Sequence, residues 1–224
     1  MTLYGTPRPA TPRRVPWLAC VVVALVLAVV GSVGWIVLTA RTDRAHLDAG
    51  QATLARAWNL QIGSAAGAPK LPGPGGPIGR MFIPKLGPHA NWIVVDDVTE
   101  DALKGGPGHF PDSAGVGERG NFAMAGHREV GMFADLDRMR EHDKIVVETQ
   151  QRFYVYNVVS VLVTLPSDVT QIAPTPPGMS PGRLLTLMTC APRWDNYQRL
   201  WVHAVLERTS PRDEVPPELT EGDH

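Results

Sequence analysis

The sequence predicts a mostly β domain held outside the cytoplasm on one N-terminal membrane helix. Three observations carry this. An uncharged apolar run, WLACVVVALVLAVVGSVGWIVLTA, fills residues 17–40. From residue 80 to 209, short β-rich segments alternate with turn-forming clusters, and no long helical pattern intervenes. The 22 glycines and 21 prolines of the 224-residue chain gather in particular stretches, as linkers around one folded unit do.

Taken in order, residues 1–16 form a short N-terminal segment bearing Arg8, Arg13 and Arg14 with no acidic residue. The run 17–40 is long enough for a bilayer core, which takes roughly 20 helical residues, and exceeds the roughly 7–15 apolar residues of a signal peptide. Beyond it, Arg41 and Arg44 are offset by Asp43 and Asp48. The unopposed positive charge therefore lies N-terminal, which sets residues 1–16 in the cytoplasm and everything after 41 outside. Residues 41–79 read as a stalk and spacer. AHLDAGQATLARAWNL (45–60) suits a helix with Leu47, Leu54 and Trp58 on one side, and GSAAGAPKLPGPGGPIG (63–79) has too few large apolar groups to pack. The acidic, proline-containing tail 210–224 reads as disordered.

Residues 80–209 suffice for one compact domain. Strands are expected at 81–86, 91–95, 121–125, 144–149, 152–164, 183–189 and 199–208, with one short helix at FADLDRMR (133–140). Many short strands without alternating helices favour an antiparallel barrel or sandwich. A formal net charge of -1 gives no steer toward nucleic acid.

Two cysteines occur, Cys20 inside the apolar run and Cys190 far beyond it, so they cannot pair within one molecule. An odd extracytoplasmic cysteine suggests intermolecular pairing or a reactive thiol, and the count leaves catalysis and an inert buried thiol both open. If 183–189 and 199–208 form a hairpin, Cys190 and Arg199 lie at the same end of the ladder. Arg199 could then stabilise an oxyanion, with nearby Arg193 a competing candidate. A thiol nucleophile needs a base or cation. Of the seven histidines, His46 belongs to the stalk, His224 to the tail and His142 to the charged stretch REHDK. His89 and His109 sit in Pro- and Gly-rich turns, and His203 is mid-strand. His127 follows the apolar strand NFAMAG directly, where Gly126 allows close approach to the backbone.

NFAMAGH (121–127), LLTLMTC (184–190) and RWDNYQRL (193–200) together resemble the sortase family, whose T-L-x-T-C pattern has a histidine upstream and an arginine shortly downstream. LKGGPGHFP (103–111) and TCAPRW (189–194) look most similar to class E sortases of high-GC Gram-positive bacteria. The resemblance implies an eight-stranded β-barrel with one or two short helices and no metal or other cofactor. It implies Cys190 as nucleophile, His127 as acid and base, Arg199 as oxyanion and substrate holder, and Thr189 as a substrate-positioning or oxyanion residue. It also implies partners: secreted proteins with C-terminal LAxTG- or LPxTG-type sorting signals, a peptidoglycan or lipid-linked precursor amine as acceptor, and the plasma membrane.

Two positions depart from the class E pattern. Ala191 stands where a histidine often follows the cysteine. Trp92 lies near the region where class E sortases are expected to carry a tyrosine linked to preference for Ala over Pro, and the resemblance leans toward LAxTG. The span 167–182 corresponds to the loop that binds sorting signals in the family. Two other readings stand beside this one: a non-enzymatic wall-binding β-domain with an inert Cys190, and a pilin-polymerising sortase. The 63–79 spacer lacks an Asp-Pro-aromatic lid anchor, which favours the anchoring role over polymerisation.

Overall fold

Along Pro77–Phe82, fully buried and half-buried residues alternate, the period-two signature of a strand with one face on a core. This is β1 in a computed structural model that describes residues 16–63 and 75–220. The further strands are β2 (Asn91–Val95), β3 (Gly108–His109), β4 (Gly120–Ala125), β5 (Lys144–Glu148), β6 (Arg152–Thr164), β7 (Arg183–Ala191) and β8 (Gln198–Pro211). They close into a barrel in the order β1-β2-β3-β4-β7-β8-β6-β5. The eight-stranded barrel expected from the family resemblance is thus present. Its interior is filled by Met81, Phe122, Met124, Tyr156, Leu187 and Val202 among others.

The barrel is not wholly antiparallel. β4 runs parallel to β7 over six residue pairs, and β2 runs parallel to β3. A parallel pair needs a long crossover, and here the whole β5–β6 hairpin and the β6–β7 connection lie between β4 and β7. The two-residue β3 was not expected from the sequence, nor was the short helix Glu100–Gly105, which Thr99 caps by accepting from the Ala102 amide at 3.4 Å. The helix expected over 133–140 shrinks to a 3-10 turn at Leu136–Arg138. Phe133, Leu136 and Met139 are all buried, and their spacing of three matches the 3-10 repeat, not the α repeat.

A single helix, α1, runs from Pro16 to Gly63 and is long and apolar enough in its first part to span a membrane. The chain divides at Thr42/Asp43 into two compact units, so the unit holding the barrel begins at Asp43, not at residue 80. The reason is packing. Leu47 and Trp58 are each only 2 % exposed, and Leu47 belongs to the same apolar cluster as Met132 and Phe133. Between them, Gln51 donates to the carbonyls of Ile93 (3.1 Å) and Gly105 (2.6 Å) and accepts from the Ile93 amide (2.7 Å). The expected stalk is therefore part of the folded unit.

The tail also departs from expectation. β8 continues to Pro211, and a short helix at Pro217–Thr220 follows. Leu219 packs on Val146, Phe153 and Val155, while Arg208 pairs with Glu218 and Arg212 with Glu148 at 2.7 Å. The spacer 63–79 lies mostly outside the described residues, as do residues 1–15 and 221–224, and its last three residues open β1.

Candidate active site

β7 turns Leu185, Leu187, Thr189 and Ala191 toward the barrel interior, so period two turns Leu184, Thr186, Met188 and Cys190 outward. β8 pairs with it antiparallel, and the register sets Cys190 directly opposite Arg199. Directly opposed residues share a face, so the half-buried thiol and the guanidinium emerge together on the outer wall. The hairpin placement expected from the sequence is met.

β4 supplies the third group. Its parallel register pairs Ala125 with Met188, and the Gly126 amide extends it by donating to the Met188 carbonyl at 3.1 Å. Cys190 and Arg199 are thus directly opposed across β7 and β8, and His127 lies two residues past the end of β4, the strand that neighbours β7. The His127 amide contacts Met132 Sδ at 3.1 Å, and its carbonyl accepts from Phe133. Exposed Glu100 sits 3.7 Å from His127 Nε2. On this side His127 opens onto a cleft of ≈ 700 Å³ whose walls include His46 and Gly50 of α1, Lys104 and Glu129.

Arg199 Nη1 donates to the carbonyls of Asn196 (2.7 Å) and Gln198 (2.9 Å). These bonds hold one terminal nitrogen of the guanidinium on the turn leading into β8. The competing Arg193 is committed elsewhere: it pairs with Asp135 and lies 3.8 Å from Asp137.

Thr189 points inward. It is 1 % exposed, and its hydroxyl donates to the Gly126 carbonyl at 2.8 Å. It therefore bears on the site by holding the segment that leads into His127. Trp92 is likewise in the core, donating to the Gly131 carbonyl at 2.7 Å and meeting Phe133 edge-on. It gives no support to an Ala-over-Pro preference.

Below Cys190 and Arg199, the β6–β7 connection covers the same outer face. Thr186 bonds to His203 Nδ1 (2.8 Å) and donates to Asn121 (2.8 Å), and His203 Nε2 meets Gln171 Oε1 at 2.9 Å. Asn121 in turn donates to the Ala173 carbonyl at 3.1 Å. Burial pushes the His203 imidazole down from 6.5 to about 4. His109 is also structural, bonded to Asp96 at 2.7 Å and to Ser113 at 2.9 Å. Among the described residues, no group of three or more His, Cys, Asp or Glu side chains is arranged to hold a metal.

Sequence reasoning missed Arg128. Its side chain is buried, and it donates to the Cys190 carbonyl at 3.1 Å and pairs with Asp137 at 2.9 Å. Nothing in the sequence marks it, because a charged residue after His127 reads as surface. The Asn121–Thr186–His203–Gln171 chain was also missed, since its members lie up to 82 residues apart.

A closed β-barrel that sets a lone outward thiol between an arginine and a histidine is the framework of a cysteine acyl-transfer enzyme. The chain belongs to the sortase family: the family model described as a sortase domain matches residues 81–207, more than half its length. It is 35 % identical over 196 residues to Sortase SrtE1 of Streptomyces coelicolor, covering 78 % of this chain and 52 % of that protein. It is 32 % identical over 108 residues to Sortase SrtE2 of the same organism, covering 45 % of this chain and 43 % of that one. The chain thus spans about half the length of these curated relatives. Among solved structures, sortase E of Streptomyces avermitilis superposes with a TM-score of 0.61 at 35 % identity, covering 66 % of this chain and 99 % of that one. The SrtF sortase of Corynebacterium diphtheriae gives 0.62 at 32 % identity, covering 68 % and 96 %. These similarities support the class E resemblance despite Ala191.

Proposed function

We propose that this chain is a membrane-anchored cysteine transpeptidase that cleaves an LAxTG- or LPxTG-type sorting signal between Thr and Gly and joins the upstream protein to a peptidoglycan amine. The Cys190 thiolate attacks the threonine carbonyl carbon, and Arg199 donates to the resulting oxyanion. Collapse of the tetrahedral intermediate breaks the Thr–Gly bond, and His127 gives its proton to the departing glycine amine. The acceptor amine then yields a proton to His127 and attacks the thioester, and Cys190 leaves as thiolate. The acyl bond is conserved throughout, so no external energy source is needed. The positive flank of the apolar helix, at Arg8, Arg13 and Arg14, favours a cytoplasmic N-terminus with the barrel outside.

The observation that supports this reading is the direct opposition of Cys190 and Arg199 across β7 and β8, with His127 two residues past the end of neighbouring β4. The test uses the full chain in detergent, because Leu47 and Trp58 pack with the barrel's unit. LAxTG and LPxTG peptides are supplied with a small amine, and products are followed by mass spectrometry. Transfer to the amine that vanishes in Cys190→Ala and falls by about 10²–10³-fold in Arg199→Ala supports the reading. A folded protein that forms no acyl-enzyme with either peptide counts against it, and the faster peptide identifies the sorting signal.

A further inference from the structure

The transfer chemistry above uses one arginine, yet a second one touches the nucleophile's own peptide group. The Arg128 side chain is 6 % exposed, and its Nη1 donates to the Cys190 carbonyl at 3.1 Å. We propose that Arg128 is a positioning residue for Cys190, its guanidinium fixing the main chain of the nucleophile against the segment that bears His127. The inference rests on Cys190 being the nucleophile.

The geometry is that of a ladder continued by side chains. β4 ends at Ala125, opposite Met188. Past that end, the Gly126 amide donates to the Met188 carbonyl, the Thr189 hydroxyl to the Gly126 carbonyl, and the Arg128 guanidinium to the Cys190 carbonyl. Three successive bonds therefore stitch residues 126–128 to 188–190, and the Arg128 bond is the one that reaches the catalytic pair's own level. The stitch is braced from outside. Asp137 binds Arg128 Nη2 at 2.9 Å and lies 3.8 Å from Arg193, in the loop that follows Cys190. The 136–138 turn thus holds both the carbonyl of the nucleophile and the loop leaving it.

Energetics argue against mere filling. A buried guanidinium is costly unless all its donors are met, and an apolar side chain of similar volume is often at least as stable. Arg128 is not fully met. Among the described residues, its Nε is the one buried side-chain nitrogen or oxygen without a hydrogen-bond partner. A cation kept under those terms beside a reacting group points to function more than to packing. It also leaves a fixed positive charge one peptide group from the sulfur that must carry negative charge.

The test compares Arg128→Met, Arg128→Lys and Asp137→Asn with the wild type as full chains in detergent. Four quantities are read: kcat and KM for the sorting-signal peptide, the rate of Cys190 alkylation by iodoacetamide at pH 7 without peptide, and the near-ultraviolet circular dichroism melt. For folded Arg128→Met, kcat is expected to fall about tenfold or more with KM within about twofold, and alkylation to slow by a similar factor. Arg128→Lys restores part of both rates, and Asp137→Asn lies between. Folded Arg128→Met with both rates within about twofold of wild type overturns the proposal. So does Arg128→Lys as impaired as Arg128→Met, which would mark a packing role. If Arg128→Met does not fold, Arg128→Lys and Asp137→Asn decide by the same criteria. If the wild type turns over no peptide, the transpeptidase reading fails while the alkylation rates still decide the role of Arg128.

Discussion

Truncating Leu47 to alanine tests whether the helix leaving the apolar segment belongs to the catalytic unit. Leu47 is 2 % exposed and sits in the main apolar cluster beside Met132 and Phe133. Its truncation forfeits the burial of a methine and two methyl groups and leaves a cavity beside Gly131–Phe133, at a cost of about 2–4 kcal/mol. For a unit running from Asp43 onward, each kcal/mol lowers Tm by about 2–4 °C, so a fall of about 5–15 °C is expected. The melt is followed by near-ultraviolet circular dichroism of the full chain in detergent, where buried Trp58 and Trp92 report tertiary packing. Because His46 and Gly50 wall the cleft beside His127, a chain lacking residues 1–74 should melt lower still and lose peptide turnover. A Tm change under about 2 °C for Leu47→Ala, with full activity in the truncated chain, would refute the packing argument.

Two further outcomes follow from the site's surroundings. Thr189→Val leaves the Gly126 carbonyl without its donor, which should cost about 1–3 kcal/mol in urea unfolding and lower kcat about tenfold by loosening the His127 segment. Burial lowers the His203 pKa from 6.5 in the ordinary case to about 4. Its folded pKa is depressed, so the unfolded state binds the extra proton, and stability is full above about 6.5 and declines down to about 4. The loss over that window is about 3 kcal/mol, measured by urea unfolding at several pH values, and His203→Gln should flatten it.

Much of this molecule can be read from its residues. The segments 91–95 and 152–164 coincide with β2 and β6, because β-branched and aromatic residues are concentrated there. The Cys190–Arg199 pairing follows from a hairpin whose two strands are separated by a short turn. The parallel β4–β7 contact is different in kind: periodicity shows that both strands exist, but not which neighbour each takes. The spacing of Leu47, Leu54 and Trp58 did signal an apolar helix face, and only the partner of that face was hidden. Burial of Thr189 and Arg128 escaped for a related reason. Each is fixed by a bond to a backbone group about 63 residues away, and a backbone carbonyl leaves no trace in composition.

The parallel seam between β4 and β7 also sets the order in which the enzyme is assembled. Cys190 and Arg199 meet through a local hairpin, whereas every pair joining β4 to β7 spans a constant 63 residues. Non-local pairings pay loop-closure entropy before they return any contact, so they form late. On this basis the local β7–β8 hairpin is expected to form before the β4–β7 seam closes.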